Sequence, residues 1–222
     1  MKEELNMNKK STWITSLLCL LPMIFSAVVY TSLPDKIAIH WNVAGVADNY
    51  AHKAIAAFGM PIVFLIINLL LSKMCLMGDP KGESQLRAKA GEQILTWLAP
   101  ALSVILVPVM LFIAMGADIP IDMVASLLVG LLLIVIGNYL PKSRQNNFMG
   151  IKLPWTLNDT DNWNKTHRLA GYLYIVCGAL LIIANFLLKN TFSYISVDII
   201  VIAALALIPA FYSYSLYRRE SN

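Results

Sequence analysis

The chain has 222 residues, of which 58% are hydrophobic and only 14% charged, with a net charge of +4. With a mean hydropathy of +0.66, so little charge cannot cover the surface of a soluble domain of this length, which excludes a water-soluble globular enzyme. The 17 cations are scattered among loops rather than gathered on one element, which excludes a nucleic-acid footprint.

The first apolar run, Trp13–Thr31, follows Lys9 and Lys10. It is read as a retained span rather than a cleaved signal, because Leu33-Pro34-Asp35 follows without a small-residue cleavage site. The next segment, Ser32–Ala57, alternates Ile37, Ile39 and Trp41 with Lys36, Ala38 and His40, which is strand periodicity. Asn42-Val43-Ala44-Gly45 supplies a turn and Val46-Ala47-Asp48 a short return, so a small external β-hairpin is predicted. His40, Asp48 and His52 are of zinc-ligand types, but their spacing matches no zinc signature. A polar hairpin face is the better reading, and no metal or cofactor is expected. The functional candidates on this loop are Pro34, Asp35, His40, Trp41, Gly45 and Asp48.

Further runs at Phe58–Met77, Ile94–Met115, Met123–Leu140, Leu169–Leu188 and Tyr194–Tyr217 bring the spans to about six. Each approaches the roughly 20 residues that a hydrocarbon core of about 30 Å requires of a helix. Continuous rather than alternating apolarity predicts helices and not a barrel, hence an all-α integral membrane protein. Pro22, Pro100, Pro108 and Pro209 interrupt their runs and predict kinks. Cys19, Cys75 and Cys177 all lie inside apolar runs, so neither a disulfide framework nor a metal site is suggested.

With six spans, Lys2, Lys9, Lys10, Lys73, Lys81, Arg87, Lys89, Lys142, Arg144, Lys152, Lys165, Arg168, Arg218 and Arg219 fall on one side. Lys36, Lys53 and Lys189 fall on the other, a division of fourteen and three among the 17. The positive-inside rule then predicts both termini in the cytoplasm and a plasma-membrane location. Three regions follow: residues 12–77 with the external loop 32–57, residues 78–122 with a polar connector Gly78–Glu92 and the third span, and residues 123–222. Each half of the chain holds three spans, with a long loop after the first that begins Leu-Pro, the layout of an inverted repeat.

The second long loop, Pro141–Arg168, is predicted to be cytoplasmic and carries the densest polar and aromatic stretch. Pro154 disfavours helix at Leu153, so the chain there is extended or tightly turned. Asn158, Thr160 and Asp161 are available to cap a helix running through Trp163, Thr166, His167 and Arg168 into the fifth span. Trp163, His167, Gly171 and Gly178 share one stripe of it, and the glycines admit a neighbouring helix. His167 is placed to give or take a proton near neutral pH. The candidates here are Asn147, Gly150, Pro154, Trp155, Thr156, Leu157, Trp163, Thr166, His167, Arg168 and Gly171. So many hydrogen-bonding residues beside two tryptophans favour a recognition or folded role over interfacial anchoring alone.

Both loops carry a family resemblance. Leu33-Pro34-Asp35-Lys36-Ile37-Ala38-Ile39-His40-Trp41, then Gly45 and Asp48, resembles a small domain of unknown function at the start of bacterial membrane proteins. Asn147 to Leu157, with Pro154-Trp155-Thr156-Leu157, then Trp163, Thr166, His167, Arg168 and Gly171, resembles the SdpI-like family, named for the immunity protein against the sporulation-delaying toxin. Lys152-Leu153 departs from the Arg-Thr usual there. The resemblance implies a multipass protein that protects its cell from a membrane-active peptide toxin. In the family's namesake it also implies a transcriptional repressor held at the membrane as a signal. The expected partners are therefore the lipid bilayer, a hydrophobic peptide toxin and a cytoplasmic repressor, with no direct contact to nucleic acid.

Two other classes stand against this reading. A small-solute transporter or channel would need a water-filled path, for which Asn138, His167 and Asp198 are the available polar groups, and no intramembrane cation pairs with Asp198. A membrane enzyme lacks any HExxH, GxSxG or paired intramembrane carboxylates, so no catalytic residue is named.

Overall fold

The computed structural model describes residues 2–42, 44–77, 85–146, 150–187 and 191–220. Asn147 and the first part of the connector that begins at Gly78 lie outside the described residues. Helices run at Lys2–Leu20 (α1), Pro22–Val29 (α2), Met60–Met77 (α3), Gln85–Ala114 (α4), Ile121–Tyr139 (α5), Pro154–Asn158 (α6), Thr160–Leu187 (α7) and Thr191–Glu220 (α8). Six segments among the described residues are long and apolar enough to cross a bilayer: Lys10–Ser32, Ile55–Met74, Gln93–Ala114, Ile121–Lys142, Thr160–Leu187 and Ile199–Arg219. They match the six predicted runs. Between 17% and 33% of each span's most apolar window is buried within the protein, so the remaining apolar surface is suited to lipid. The chain is a multipass membrane protein.

Pro22 interrupts its span, with α1 ending at Leu20 and α2 opening on the proline. Pro100, Pro108 and Pro209 instead sit inside continuous helices. The chain forms two compact units: among the described residues the first holds 2–77 and 92–121, and the second holds 85–91 and 122–220.

In the first unit, strands Lys36–Trp41 (β1) and Ala47–His52 (β2) pair antiparallel, from Lys36 opposite His52 to Trp41 opposite Ala47. The return strand is longer than Val46–Asp48, because Asn49, Tyr50, Ala51 and His52 continue the ladder without an apolar alternation to announce it. The turn forms as predicted. Asn42 Oδ1 accepts the Ala44 and Val46 amides at 2.9 and 3.1 Å, and Gly45 takes φ 72°. The alternation of β1 is used for packing. Leu33 and Ile37 are buried against Ala56, Ala57, Val107, Met110 and Leu111, with Ile39 and Trp41 beside them. Below the hairpin the Lys53 ammonium lies 3.0 Å from Asp35 and 5.5 Å from the centre of the Tyr30 ring. That ammonium holds the exposed Asp35 carboxyl below its ordinary range.

A π-helical turn at Ile55–Gly59 leads into α3. Ser26 Oγ lies 2.8 Å from the Ala57 carbonyl there and 3.1 Å from the Pro22 carbonyl. Deeper in the spans, Ser103 Oγ donates to the Cys19 carbonyl at 2.8 Å.

In the second unit, the glycine stripe on α7 meets a matching one on α5. A Cβ added at Gly137 would lie 2.7 Å from the Gly171 carbonyl, and one at Gly130 would lie 2.8 Å from the Gly178 carbonyl. Pairing of 130 with 178 and of 137 with 171 makes the helices antiparallel, in backbone contact at two levels seven residues apart. Bare Cα hydrogens permit that approach. On α8, Val201 packs with Cys177 and Leu181 in a small apolar cluster.

Candidate functional site

The described residues of the loop between the first two spans of the second unit, 140–146 and 150–159, build a hydrogen-bonded structure on the start of α7. Its chain leaves α5 through a tight turn at Leu140–Lys142. Ser143 then offers its carbonyl to the Trp163 indole N–H at 3.1 Å. Gln145 bridges two later segments: its amide N–H donates to the Thr156 carbonyl at 2.7 Å, and its amide oxygen accepts the Thr160 hydroxyl at 3.0 Å.

Leu153 is extended, as Pro154 requires, with φ −112° and ψ 154°. Pro154 then opens a single helical turn, where a proline at the first position loses no hydrogen bond. Thr156 stabilises the turn's entry, accepting the Leu153 N–H at 2.9 Å and lying 2.8 Å from the Ile151 carbonyl. The start of α7 corrects the sequence reading. Its cap is Asp159, whose carboxylate accepts the Asp161 and Asn162 amides at 2.9 and 3.0 Å, and not Asn158, Thr160 or Asp161. Aspartate ranks with asparagine among the best capping types, and its charge also favours the helix N-terminus. Thr160 is bonded to Gln145 instead, and Asp161 pairs with Lys165 one turn on.

Trp163 and His167 are 0% and 1% exposed and stack with ring centroids 3.9 Å apart. The Ile151 amide can only donate, so His167 Nε2, 2.9 Å away, is the acceptor. The Trp163 carbonyl can only accept, so Nδ1, 2.8 Å from it, carries the proton. Both ring nitrogens are thus committed: Nδ1 fixes the ring within α7, and Nε2 holds the loop on the helix. Gly150 passes directly over the rings with φ 124°, and a Cβ there would overlap His167 Nε2 and lie 2.7 Å from the Trp163 ring.

At the same level of α7, one residue round the helix, a second buried network ties α7 to α8. Asn162 Oδ1 accepts the hydroxyls of Thr166 (3.0 Å) and Ser213 (2.8 Å), while its amide N–H donates to the Ser213 carbonyl at 2.9 Å. Replacing Asn162 with leucine strands these partners in an apolar setting, at about 1–3 kcal/mol for each orphaned group. Asn162→Leu is therefore expected to lower the melting temperature in detergent clearly more than Ser213→Ala, which removes only one hydroxyl. Equal melting of the two variants would show the network to be energetically idle.

Of the candidates on this loop, Gly150, Thr156, Trp163, Thr166 and His167 form this folded core or its immediate support. Gly171 lies one turn below, where a Cβ would meet the Pro141 ring at 2.5 Å. Leu157 bonds through its amide to the Leu153 carbonyl at 2.9 Å. Trp155 is half-buried against Tyr214 and Tyr217, with ring centroids 5.3 and 6.0 Å away. Arg168 is exposed beside the cluster. Asn162 and Ser213 escaped the sequence reading. Asn162 stands one helical turn before Thr166, a spacing that invites a polar pair, but nothing local marks Ser213, fifty-one residues away.

The hairpin candidates do not converge in the same way. His40 Nδ1 pairs with Asp48 on the exposed face, Asp35 pairs with Lys53, and Pro34 is exposed. Trp41 joins the apolar underside, and Gly45 serves the turn. His52 accepts the Ala54 amide at 3.3 Å. Among the described residues no three His, Cys, Asp or Glu side chains are grouped to hold a metal.

Comparison with known proteins agrees with this division. The SdpI/YfhL protein family matches residues 142–215, which contain the folded loop. A domain of unknown function matches residues 17–65, which contain the hairpin. Over 211 residues, 95% of this chain and 97% of the relative, the chain is 29% identical to the immunity protein SdpI of Bacillus subtilis (strain 168). No solved structure matches it significantly. Six apolar spans among the described residues, the stretch of the second unit that matches the SdpI/YfhL protein family and end-to-end similarity to a bacterial immunity protein make the chain a multipass bacterial membrane protein that resembles SdpI.

Proposed function

We propose that this protein confers immunity to a membrane-active peptide toxin, and that the loop between its fourth and fifth spans faces the cytoplasm and reports toxin occupancy to a repressor. The observation that carries the reading is the buried Trp163–His167 stack gripping the Ile151 amide, within the stretch that matches the family. A loop needed only to join two helices has no use for a fully buried indole and imidazole with every ring nitrogen bonded. Such a core gives the loop one defined shape, which a protein partner can recognise. Toxin shifts that shape only if it binds one conformation more tightly than another.

A transport path is less well supported by the same geometry. His167 is sealed into the loop, and Asn138 lies 3.4 Å from the Lys142 ammonium on the exposed surface of its helix end.

The test is survival of toxin-sensitive cells expressing the protein. Cells with the wild-type chain are expected to tolerate a toxin concentration that kills cells without it. Both Trp155→Ala and His167→Ala are expected to reduce that tolerance while reaching the membrane at normal level. Unchanged tolerance in both variants would separate the loop from immunity. Absence of protection by the wild type would remove the proposal itself. Recruitment of a co-expressed repressor to the membrane only when toxin is present tests the signalling part separately.

A further inference from the structure

The seam between α1 and α3 in the first unit holds a hydrogen-bond imbalance. Asn68 is 0% exposed, and its amide nitrogen donates to Thr15 Oγ1 at 3.1 Å and Ser16 Oγ at 3.3 Å. Its amide oxygen is buried with no partner among the described residues, and so is the hydroxyl of Ser72, a residue only 7% exposed. Rotating the Asn68 amide by half a turn does not remove the problem. Thr15 Oγ1 lies 3.0 and 3.1 Å from the Ser11 and Thr12 carbonyls, one of which takes its proton, so toward Asn68 it can only accept. Asn68 must therefore present its N–H₂ to Thr15 and its oxygen elsewhere.

Residues 68 and 72 are one turn apart and occupy the same face of α3. Ser26 and Thr15 lie within hydrogen-bond distance of carbonyls in the preceding turn of their own helices, whereas Ser72 makes no such bond. The face thus offers one strong acceptor and one hydroxyl, in a lipid-surrounded seam where each orphaned group is costly.

We propose that Asn68 and Ser72 form a binding site for a single ordered water molecule, which donates to Asn68 Oδ1 and exchanges a hydrogen bond with Ser72 Oγ. Buried waters take two to four such partners, so the pair suffices. A metal cation does not fit, because calcium takes roughly 6–8 oxygen ligands, and no carboxylate stands among these groups to balance its charge. The water bridges consecutive turns of α3 on the face that Asn68 presents to Thr15 and Ser16 of α1, away from the apolar cluster beneath the hairpin, and fixes the Asn68 amide in the orientation that bonds α1.

Two measurements on the full chain in bilayers and detergent decide it. In water-edited solid-state NMR, the Asn68 side-chain N–H₂, identified by its loss in Asn68→Leu, is expected to gain magnetisation from water quickly. The buried Asn162 amide, whose partners are all protein groups, is expected to gain it slowly. Transfer to Asn68 as slow as to Asn162 overturns the site. The second measurement turns on a sign. If Ser72 holds water, Ser72→Ala breaks a bridge and lowers the melting temperature. If its hydroxyl is merely orphaned, the same substitution removes an unsatisfied polar group and raises it. A raised or unchanged melting temperature counts against the proposal, and a lowered one with fast transfer supports it.

Discussion

Gly150→Ala is expected to unseat the loop between the fourth and fifth spans while leaving membrane insertion intact. Two separate penalties act at this position. The backbone φ of 124° lies where a side chain is strained whatever the space around it. The new methyl would also overlap His167 Nε2 and lie 2.7 and 2.9 Å from two carbons of the Trp163 ring. Neither ring can retreat easily, because Trp163 is held by the Ser143 carbonyl and His167 by the Ile151 amide and the Trp163 carbonyl. Overpacking of a tight core commonly costs about 1–3 kcal/mol, and the strained backbone adds roughly 1–2 kcal/mol. Relief comes most cheaply by lifting residues 150 and 151 off α7, which breaks the bond to His167. The variant is expected to reach the membrane at wild-type level, to become sensitive to protease applied at the loop, and to lose toxin tolerance. Gly116 supplies the control. Its φ of 96° is also left-handed, but a Cβ there meets nothing within 4 Å, so Gly116→Ala tests backbone strain alone. Equal protease resistance of Gly150→Ala and wild type would show that the ring pair does not hold the loop down.

The spans were legible in the sequence because lipid imposes a length and an unbroken apolar composition. β1 was legible because Ile37, Ile39 and Trp41 alternate to cover an apolar surface. β2 was visible only at its start, since its remaining residues, Asn49 to His52, pair through backbone and leave Tyr50 exposed. On the second loop the residue types pointed to a folded role and His167 was singled out, but for a proton role. The geometry instead uses it as a structural clamp with both nitrogens engaged. The cap at Asp159 was missed because four neighbouring residues could all cap, and only the course of the preceding turn selects among them. The Asn162–Ser213 network was out of reach for a different reason: it depends on α8 returning to the start of α7, a long-range fact with no local trace.

The glycine pairs between α5 and α7 carry the other large expected effect. At Gly178 a Cβ would stand 2.5 Å from the Gly130 carbonyl, 2.9 Å from Ile134 and 3.1 Å from the Cβ of Leu133. The nearest of these is helix backbone, which cannot rotate away, so the helices themselves must part. Parting at that level also loosens the Gly137–Gly171 crossing, because both glycines of each pair sit on the same two rigid helices. Gly178→Val is therefore expected to lower the melting temperature sharply, and Gly178→Ala by a smaller amount of the order of 1–3 kcal/mol. Gly171→Ala acts at a different place. Its Cβ would press the Pro141 ring at 2.5 and 2.7 Å, at the root of the folded loop, so this variant is expected to lose toxin tolerance as well as stability. Gly59→Ala is the reference, since its Cβ would meet only the Ile55 side chain, at 3.4 Å and beyond. Thermal melts of the four variants in one detergent would rank them. Gly178→Ala melting with Gly59→Ala would mean that the two helices are not in backbone contact. If the contact holds, α7 links the membrane-embedded crossing to the loop above it. A change in helix spacing within the bilayer then moves Pro141 and the floor of the Trp163–His167 core together, the physical connection that a toxin-dependent signal across this protein requires.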